Sequence, residues 1–333
     1  MKIDFDAVYY EPNIEEYDLG KMLKSKYGHL PWIPVESHNR IPELSSSCNK
    51  EFPSLKKHLI IGTRKTHKYV PNQKVSDWLV PYTSSGCRAM CLYCYLVCNY
   101  NKCSYLRLFV NREQMMEKLL ETDTKSPSPQ VFEIGSNSDL VLENIITGNL
   151  VWTVESFAPK SRGFLTFPTK FDAVKPLLSL DHKGKIIFRM SVNPDEIIRK
   201  IEFGTSSLSR RINALNDMAE AGYPVGLLIA PVILLPDWKN LYGRLIDRLS
   251  DTLSDKVKRT GFIEIILMTY SFVHHAINTE AFPQAVSLYD KSIMTGRGRG
   301  KYSYRQDIRE EAESFLKEKL SKSLSSMPIL YIS

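Results

Sequence analysis

The stretch Cys87-Arg-Ala-Met-Cys91-Leu-Tyr-Cys94 constrains this chain more than any other. Thiolates spaced C-x3-C-x2-C can converge on one metal centre from a single loop. Iron–sulfur clusters are held by cysteine thiolates, and a cubane [4Fe–4S] cluster has four irons. Three ligands leave one iron open to bind a small molecule and pass it an electron. A structural zinc site is the competing reading. Such sites need four ligands and usually pair two C-x2-C knuckles, whereas one C-x2-C is present here and no partner knuckle follows. A disulfide framework fits poorly: the six cysteines are sparse in 333 residues, and five lie between positions 87 and 103.

A hydrophobic content of 43% lets the chain bury one large core, or one core with appended parts. The charged fraction of 24% is ordinary. No apolar run is long enough to cross a bilayer, and the start, Met1-Lys-Ile-Asp-Phe-Asp, has no signal-peptide pattern. The thiol cluster implies a reducing compartment, so a cytoplasmic protein is expected. The net charge of +7 fits an anionic partner.

Residues 1–75 read as an irregular region, with a helix within 13–27, prolines at 31, 34, 42 and 53, and a short strand at 58–62. Thr63-Arg-Lys-Thr-His-Lys68 is either a solvated turn or an anion contact, and Cys48 is an ordinary thiol. From Trp78 onward, apolar runs at 78–82, 105–110, 131–135, 163–168, 185–190, 225–230 and 262–267 alternate with helical patterns. Asn111 is expected to cap a helix over 112–120, and a glycine closes another over 206–222. Such alternation predicts an α/β fold with a parallel sheet. Polar groups follow each run, and in α/β barrels the carboxyl ends of the strands build the site. Cys87, Cys91, Cys94, Ser138, Lys170, Ser191 and Ala230 would then face one pocket.

Towards the C-terminus, Lys291, Arg297, Arg299, Lys301 and Arg305 occur with no acidic residue over 291–306, and Tyr302 and Tyr304 interleave. Glycines at 296, 298 and 300 allow sharp turns and close approach. This is either a flexible surface loop or a basic hairpin suited to a phosphate backbone and an unstacked base. A charged helix at 307–324 and an apolar strand at 328–332 complete the chain.

The cysteine loop, with Tyr93 before its third cysteine, resembles the radical S-adenosylmethionine (radical SAM) signature. Nearly the whole chain resembles the spore photoproduct lyase family. The matching stretches include Ser37-His-Asn-Arg40, Phe132-Glu133, Ser138-Asp139, Thr169-Lys170-Phe171, His182-Lys-Gly-Lys185, Phe188-Arg-Met-Ser191, Phe203-Gly-Thr-Ser206, Ala221-Gly-Tyr223, Ala230-Pro231 and Gly300-Lys301-Tyr302. The resemblance implies a partial (β/α)6 TIM-type barrel over residues 76–275, an N-terminal region over 1–75, and a C-terminal β-hairpin and helix that contact DNA over 276–333. It implies a [4Fe–4S] cluster on Cys87, Cys91 and Cys94, and S-adenosyl-L-methionine contacts at Ser138, Lys170, Ser191 and Ala230. Tyr93 and Tyr95 fall where the family relays hydrogen, and Arg297, Arg299, Lys301, Tyr302 and Arg305 in its DNA-contacting region. The implied activity is a carbon–carbon lyase that repairs a thymine photolesion in DNA, with an electron donor such as flavodoxin or ferredoxin.

Two departures stand out. The family has a hydrogen-donating cysteine where this chain has Ser136, and the basic stretch lacks the tyrosine of the family's Arg-Tyr pair. Cys98 or Cys103 would supply the missing hydrogen, fill space as a small buried side chain, or ligate another metal. A radical SAM paralogue with a different substrate, and a non-catalytic nucleic-acid-binding protein with a structural metal, are the alternative functions.

Overall fold

The computed structural model describes residues 3–333. Its centre is an eight-stranded sheet in the order Ile329–Ile332, Phe262–Leu267, Val225–Val232, Ile186–Val192, Phe164–Thr169, Val131–Glu133, Trp78–Leu79 and Val70–Pro71. Every neighbouring pair is parallel except the last, which is antiparallel. The sheet curls. Lys74, just past one edge strand, donates from Nζ to Ser333 Oγ at the other edge (2.9 Å) and lies over the Tyr331 ring. Six strands carry the barrel and the C-terminal strand extends it, so the sequence expectation of a partial (β/α)6 barrel holds.

The strands are apolar because both faces are covered, as a parallel sheet requires. Helices pack outside, among them Leu140–Thr147, Leu208–Glu220 and Trp238–Thr252. Gly222, at φ +91°, follows the helix Leu208–Glu220, where a left-handed residue closes a helix without strain. The barrel interior holds a cluster of three charged side chains. Arg189 donates from Nη1 to Glu133 Oε2 (2.7 Å), and from Nε and Nη2 to both carboxylate oxygens of Glu264 (2.8 and 3.1 Å). Tyr331 Oη donates to Glu264 as well (2.7 Å). Four strands are tied by this network, which replaces the water that buried charges would otherwise need.

Several expectations need correction. From residue 3 onward the N-terminal region carries regular structure. Ala7–Tyr10 pairs in parallel with Trp32–Pro34 and with His58–Gly62. The run at 105–110 belongs here and not to the barrel: Arg107–Phe109 pairs with His58–Gly62 and with Ser84–Ser85. Asn111 stands at the N-terminus of the helix Arg112–Lys125 but does not cap it. Its side chain instead accepts from Arg64 N (2.8 Å) and donates to Arg64 O (2.9 Å). Arg64 is no free anion ligand, since its guanidinium donates to Tyr82 O and Ser84 O and stacks 3.9 Å over the Phe109 ring. Among the described residues no helix is long and apolar enough to cross a membrane.

Candidate active site

A cavity of about 570 Å³ opens at the carboxyl ends of the barrel strands. Its wall comes from the carboxyl ends of the strands, where Ser191 and Ala230 are the last residues but one or two of theirs, and from the turns just past them, where Ser138 and Lys170 follow. Cys87, Cys91, Cys94, Ser138, Lys170, Ser191 and Ala230 all line this one cavity, together with Tyr93, Tyr95 and Ser136.

The cysteine loop is built by close approach and by long-range hydrogen bonds. Gly86 adopts φ +74°, and a Cβ there would lie 1.9 Å from Tyr105 O, so only glycine fits. Met90–Cys91 pairs antiparallel with Glu202–Phe203. Three distant side chains then hold the loop's carbonyls. Lys56 Nζ donates to Cys87 O (2.9 Å) and to Ser104 O and Oγ (2.6 and 2.8 Å). Asn278 Nδ2 donates to Leu92 O (2.7 Å). His274 Nδ1 accepts from Ser271 N (3.1 Å), which leaves the proton on Nε2 to donate to Cys94 O (2.8 Å). Burial lowers the pKa of both Lys56 and His274, so the imidazole stays neutral and keeps this tautomer. Lys56 is only 2% exposed.

Burial pushes the Cys87 thiol up to about 12, and burial with the nearby Glu202 carboxylate pushes Cys91 well above the ordinary thiol range. A metal centre binds thiolates and displaces these protons. Among the described residues no three His, Cys, Asp or Glu side chains are placed to hold a single metal ion. A cubane asks something different, because its three thiolates bind three separate irons. The rest of the wall fits a small polar ligand. Ser138 lines the cavity, yet its buried Oγ has no hydrogen-bond partner among the described residues. Lys170 Nζ donates to Ser191 Oγ (2.5 Å) and Ala230 O (3.0 Å), so three of the residues singled out in the sequence touch one another.

Behind them lies a charge network that the sequence reading missed. Glu202, 1% exposed, accepts from Tyr93 Oη and from Asn193 Nδ2 (2.9 Å), and pairs with Arg211 Nη2 (2.6 Å). Arg211, fully buried, also donates to Ser191 O (3.1 Å). Burial alone would raise the Glu202 pKa. The Arg211 guanidinium, the Lys170 ammonium and the hydrogen bonds outweigh it and hold the carboxyl at about 2. Tyr93 on the cysteine loop and Ser191 on its strand are thus anchored to one buried ion pair.

Cys98 and Cys103 lie outside the cavity wall. Cys98 Sγ contacts Ser271 Oγ (3.2 Å) behind the loop. Cys103 packs against the small N-terminal core, with Sγ 3.8 Å from Leu44 O. Space-filling suits Cys103 best, and neither thiol faces the cavity.

The basic stretch forms the expected hairpin. Met294–Gly296 and Lys301–Tyr304 pair antiparallel, and Lys301–Tyr304 also pairs with Thr269–Ser271. Thr269 lines the cavity, so the hairpin stands at its mouth. Arg297, Arg299, Lys301 and Arg305 are exposed. Arg305 shares its charge with Asp307 (3.3 Å). Tyr302 is half-buried, edge-on to Tyr289. Tyr304 is buried, and its hydroxyl accepts from Leu234 N (2.9 Å), so it is no base-stacking platform.

Fold and site together define a partial-barrel enzyme of the radical SAM type. The spore photoproduct lyase family profile matches residues 4–333. The spore photoproduct lyase of Bacillus subtilis is 32% identical over 322 residues, 93% of this chain and 94% of that protein. The one from Clostridium acetobutylicum is 29% identical over the full length of both chains. A spore photoproduct lyase structure complexed with dinucleoside spore photoproduct superposes with a TM-score of 0.92, at 26% identity and full coverage of both chains. A variant of that enzyme with bound AdoMet and the same dinucleoside gives the same values. The chain belongs to the spore photoproduct lyase family.

Proposed function

We propose that this chain is a radical SAM DNA-repair lyase that reverses the spore photoproduct, with Cys87, Cys91 and Cys94 holding a [4Fe–4S] cluster. One observation carries the reading: three thiols, an unpartnered serine hydroxyl and the Lys170–Ser191–Ala230 contact all face a single cavity. When bound, the cluster and SAM would supply the 5′-deoxyadenosyl radical chemistry needed to abstract the C6 hydrogen of 5-thyminyl-5,6-dihydrothymine, after which the lesion's own radical would fragment at the methylene bridge. The cluster needs an electron from a carrier such as flavodoxin or ferredoxin, and we place the activity in the cytoplasm, where reducing conditions keep the thiols free.

The protein's own residues bind and orient. Ser138 offers a free hydroxyl to SAM. Lys170, Ser191 and the Ala230 carbonyl form a polar edge that exchanges its internal hydrogen bonds for bonds to the same ligand. Residues 76–275 carry this site, Lys56 from residues 1–75 supports its loop, and residues 276–333 supply the hairpin that grips DNA through Arg297, Arg299, Lys301, Arg305 and Tyr302.

Hydrogen return is where this chain departs from its family. Ser136 lines the cavity, but an alcohol O–H is too strong to give a hydrogen atom easily to a carbon radical. A phenol O–H is weaker, because the resulting radical is delocalised over the ring. Tyr93 has its hydroxyl committed to Glu202. Tyr95, 51% exposed in the cavity wall, is the donor that remains. Ser136 also favours a second reading, a family member whose substrate differs from the spore photoproduct.

Anaerobic reconstitution followed by iron, sulfide and 5′-deoxyadenosine analysis tests the cofactor assignment. The wild type should hold about four irons and cleave SAM, and alanine at any of the three cysteines should abolish cleavage. Tetrahedral zinc without SAM cleavage would contradict it.

A further inference from the structure

A lesion in a duplex reaches a barrel cavity only when extruded, and extrusion leaves a gap in the base stack. Proteins that distort DNA fill such gaps with apolar side chains inserted between base steps. We propose that Phe272 is this chain's wedge, an inference that rests on the DNA-lesion reading above.

Phe272 is 61% exposed, the most exposed of the large hydrophobic residues described. A single exposed phenylalanine is ordinary; its mounting is what matters. The strand Thr269–Ser271 leads from the cavity, which Thr269 lines, directly into Phe272 at the start of the helix Phe272–Ala281. Two contacts fix the backbone there. Ser271 and His274 form a reciprocal cap, with Ser271 N donating to His274 Nδ1 (3.1 Å). Phe272 N donates to Gly300 O in the hairpin (2.8 Å). Gly300 turns the hairpin back at φ +68°, a conformation glycine takes without strain. The ring therefore projects from a rigid mount beside the exposed cations Arg297, Arg299 and Lys301. His275, also exposed, lies 6.0 Å away ring to ring. An apolar ring flanked by phosphate-binding cations at the mouth of the site has the chemistry of a stack-inserting residue.

The test uses the full-length chain as wild type, Phe272→Ala and Phe272→Trp. The first readout is turnover of the spore photoproduct in a short duplex divided by turnover of the dinucleoside, which has no stack to fill. Stacking strengths predict that Phe272→Ala lowers this ratio by about 5- to 150-fold, and that Phe272→Trp restores most of it. The second readout is fluorescence of 2-aminopurine placed beside the lesion in the duplex, measured on equilibrium binding without cofactors. Wild type should unstack the probe and raise its signal, and Phe272→Ala should lose most of that rise. An unchanged ratio, or a rise that Phe272→Ala matches, overturns the wedge and leaves the lyase reading intact. A rise in the wild type that Phe272→Ala loses, with neither substrate turned over, upholds the wedge and overturns the lyase reading.

Discussion

Replacing Glu202 with Gln keeps the side chain's shape and removes its charge from the network behind the cavity. The carboxyl is held at about 2 against an ordinary 4.5, a difference that corresponds to about 3 kcal/mol at 1.36 kcal/mol per pH unit. Leaving one half of a buried ion pair alone costs about 3–5 kcal/mol, and here Arg211 would be left at full burial. We therefore expect Glu202→Gln to lose about 3 kcal/mol. Urea denaturation of the cluster-free chain under anaerobic, reducing conditions measures this by far-ultraviolet circular dichroism. The sign with pH follows from the lowered pKa. The charge contributes fully above about 4.5 and is lost as pH falls towards 2, so the gap between wild type and variant should stay constant from pH 7 to pH 5. A loss below about 1 kcal/mol, or a gap that shrinks across that interval, would refute the reasoning.

Lys56→Met should leave the Cys87 and Ser104 carbonyls buried without their donor, costing about 1–3 kcal/mol; chelator challenge of the reconstituted protein should release iron faster than from wild type. Alanine at Cys98 and Cys103 together should leave the product distribution unchanged, because neither thiol faces the cavity, whereas Tyr95→Phe should divert the product radical while SAM cleavage persists; chromatography of the products distinguishes these outcomes. Arg297→Ala with Arg299→Ala should weaken duplex binding and flatten the dependence of log K on log salt by up to about two units, as measured by fluorescence anisotropy, with SAM cleavage in the absence of DNA unchanged.

The barrel was legible because its strands are mainly apolar runs with polar residues at or just past their carboxyl ends, a pattern that survives without tertiary information. The same pattern led to Ser138, Lys170, Ser191 and Ala230. The supports of the site were hidden by distance along the chain: His274 and Asn278 reach carbonyls 180 and 186 positions away. Lys56 resembles any surface lysine until Leu55 and Phe52 are seen to bury the turn around it. A signal did exist for the interior network. Glu133, Arg189 and Glu264 are single charges inside otherwise apolar runs on different strands, and such charges need each other when both faces of a sheet are covered. The N-terminal sheet escaped notice because its strands span two to five residues and pair mostly in parallel across long intervals. Prolines between them made the region read as irregular.

Anaerobic incubation of the reconstituted chain with SAM, reductant and dinucleoside spore photoproduct, followed by product analysis, tests the central claim most directly. The account predicts the repaired thymine dinucleoside together with 5′-deoxyadenosine, and both should vanish when Cys91 is replaced by Ala. Formation of 5′-deoxyadenosine while the lesion stays intact would contradict it and point to a family member with another substrate.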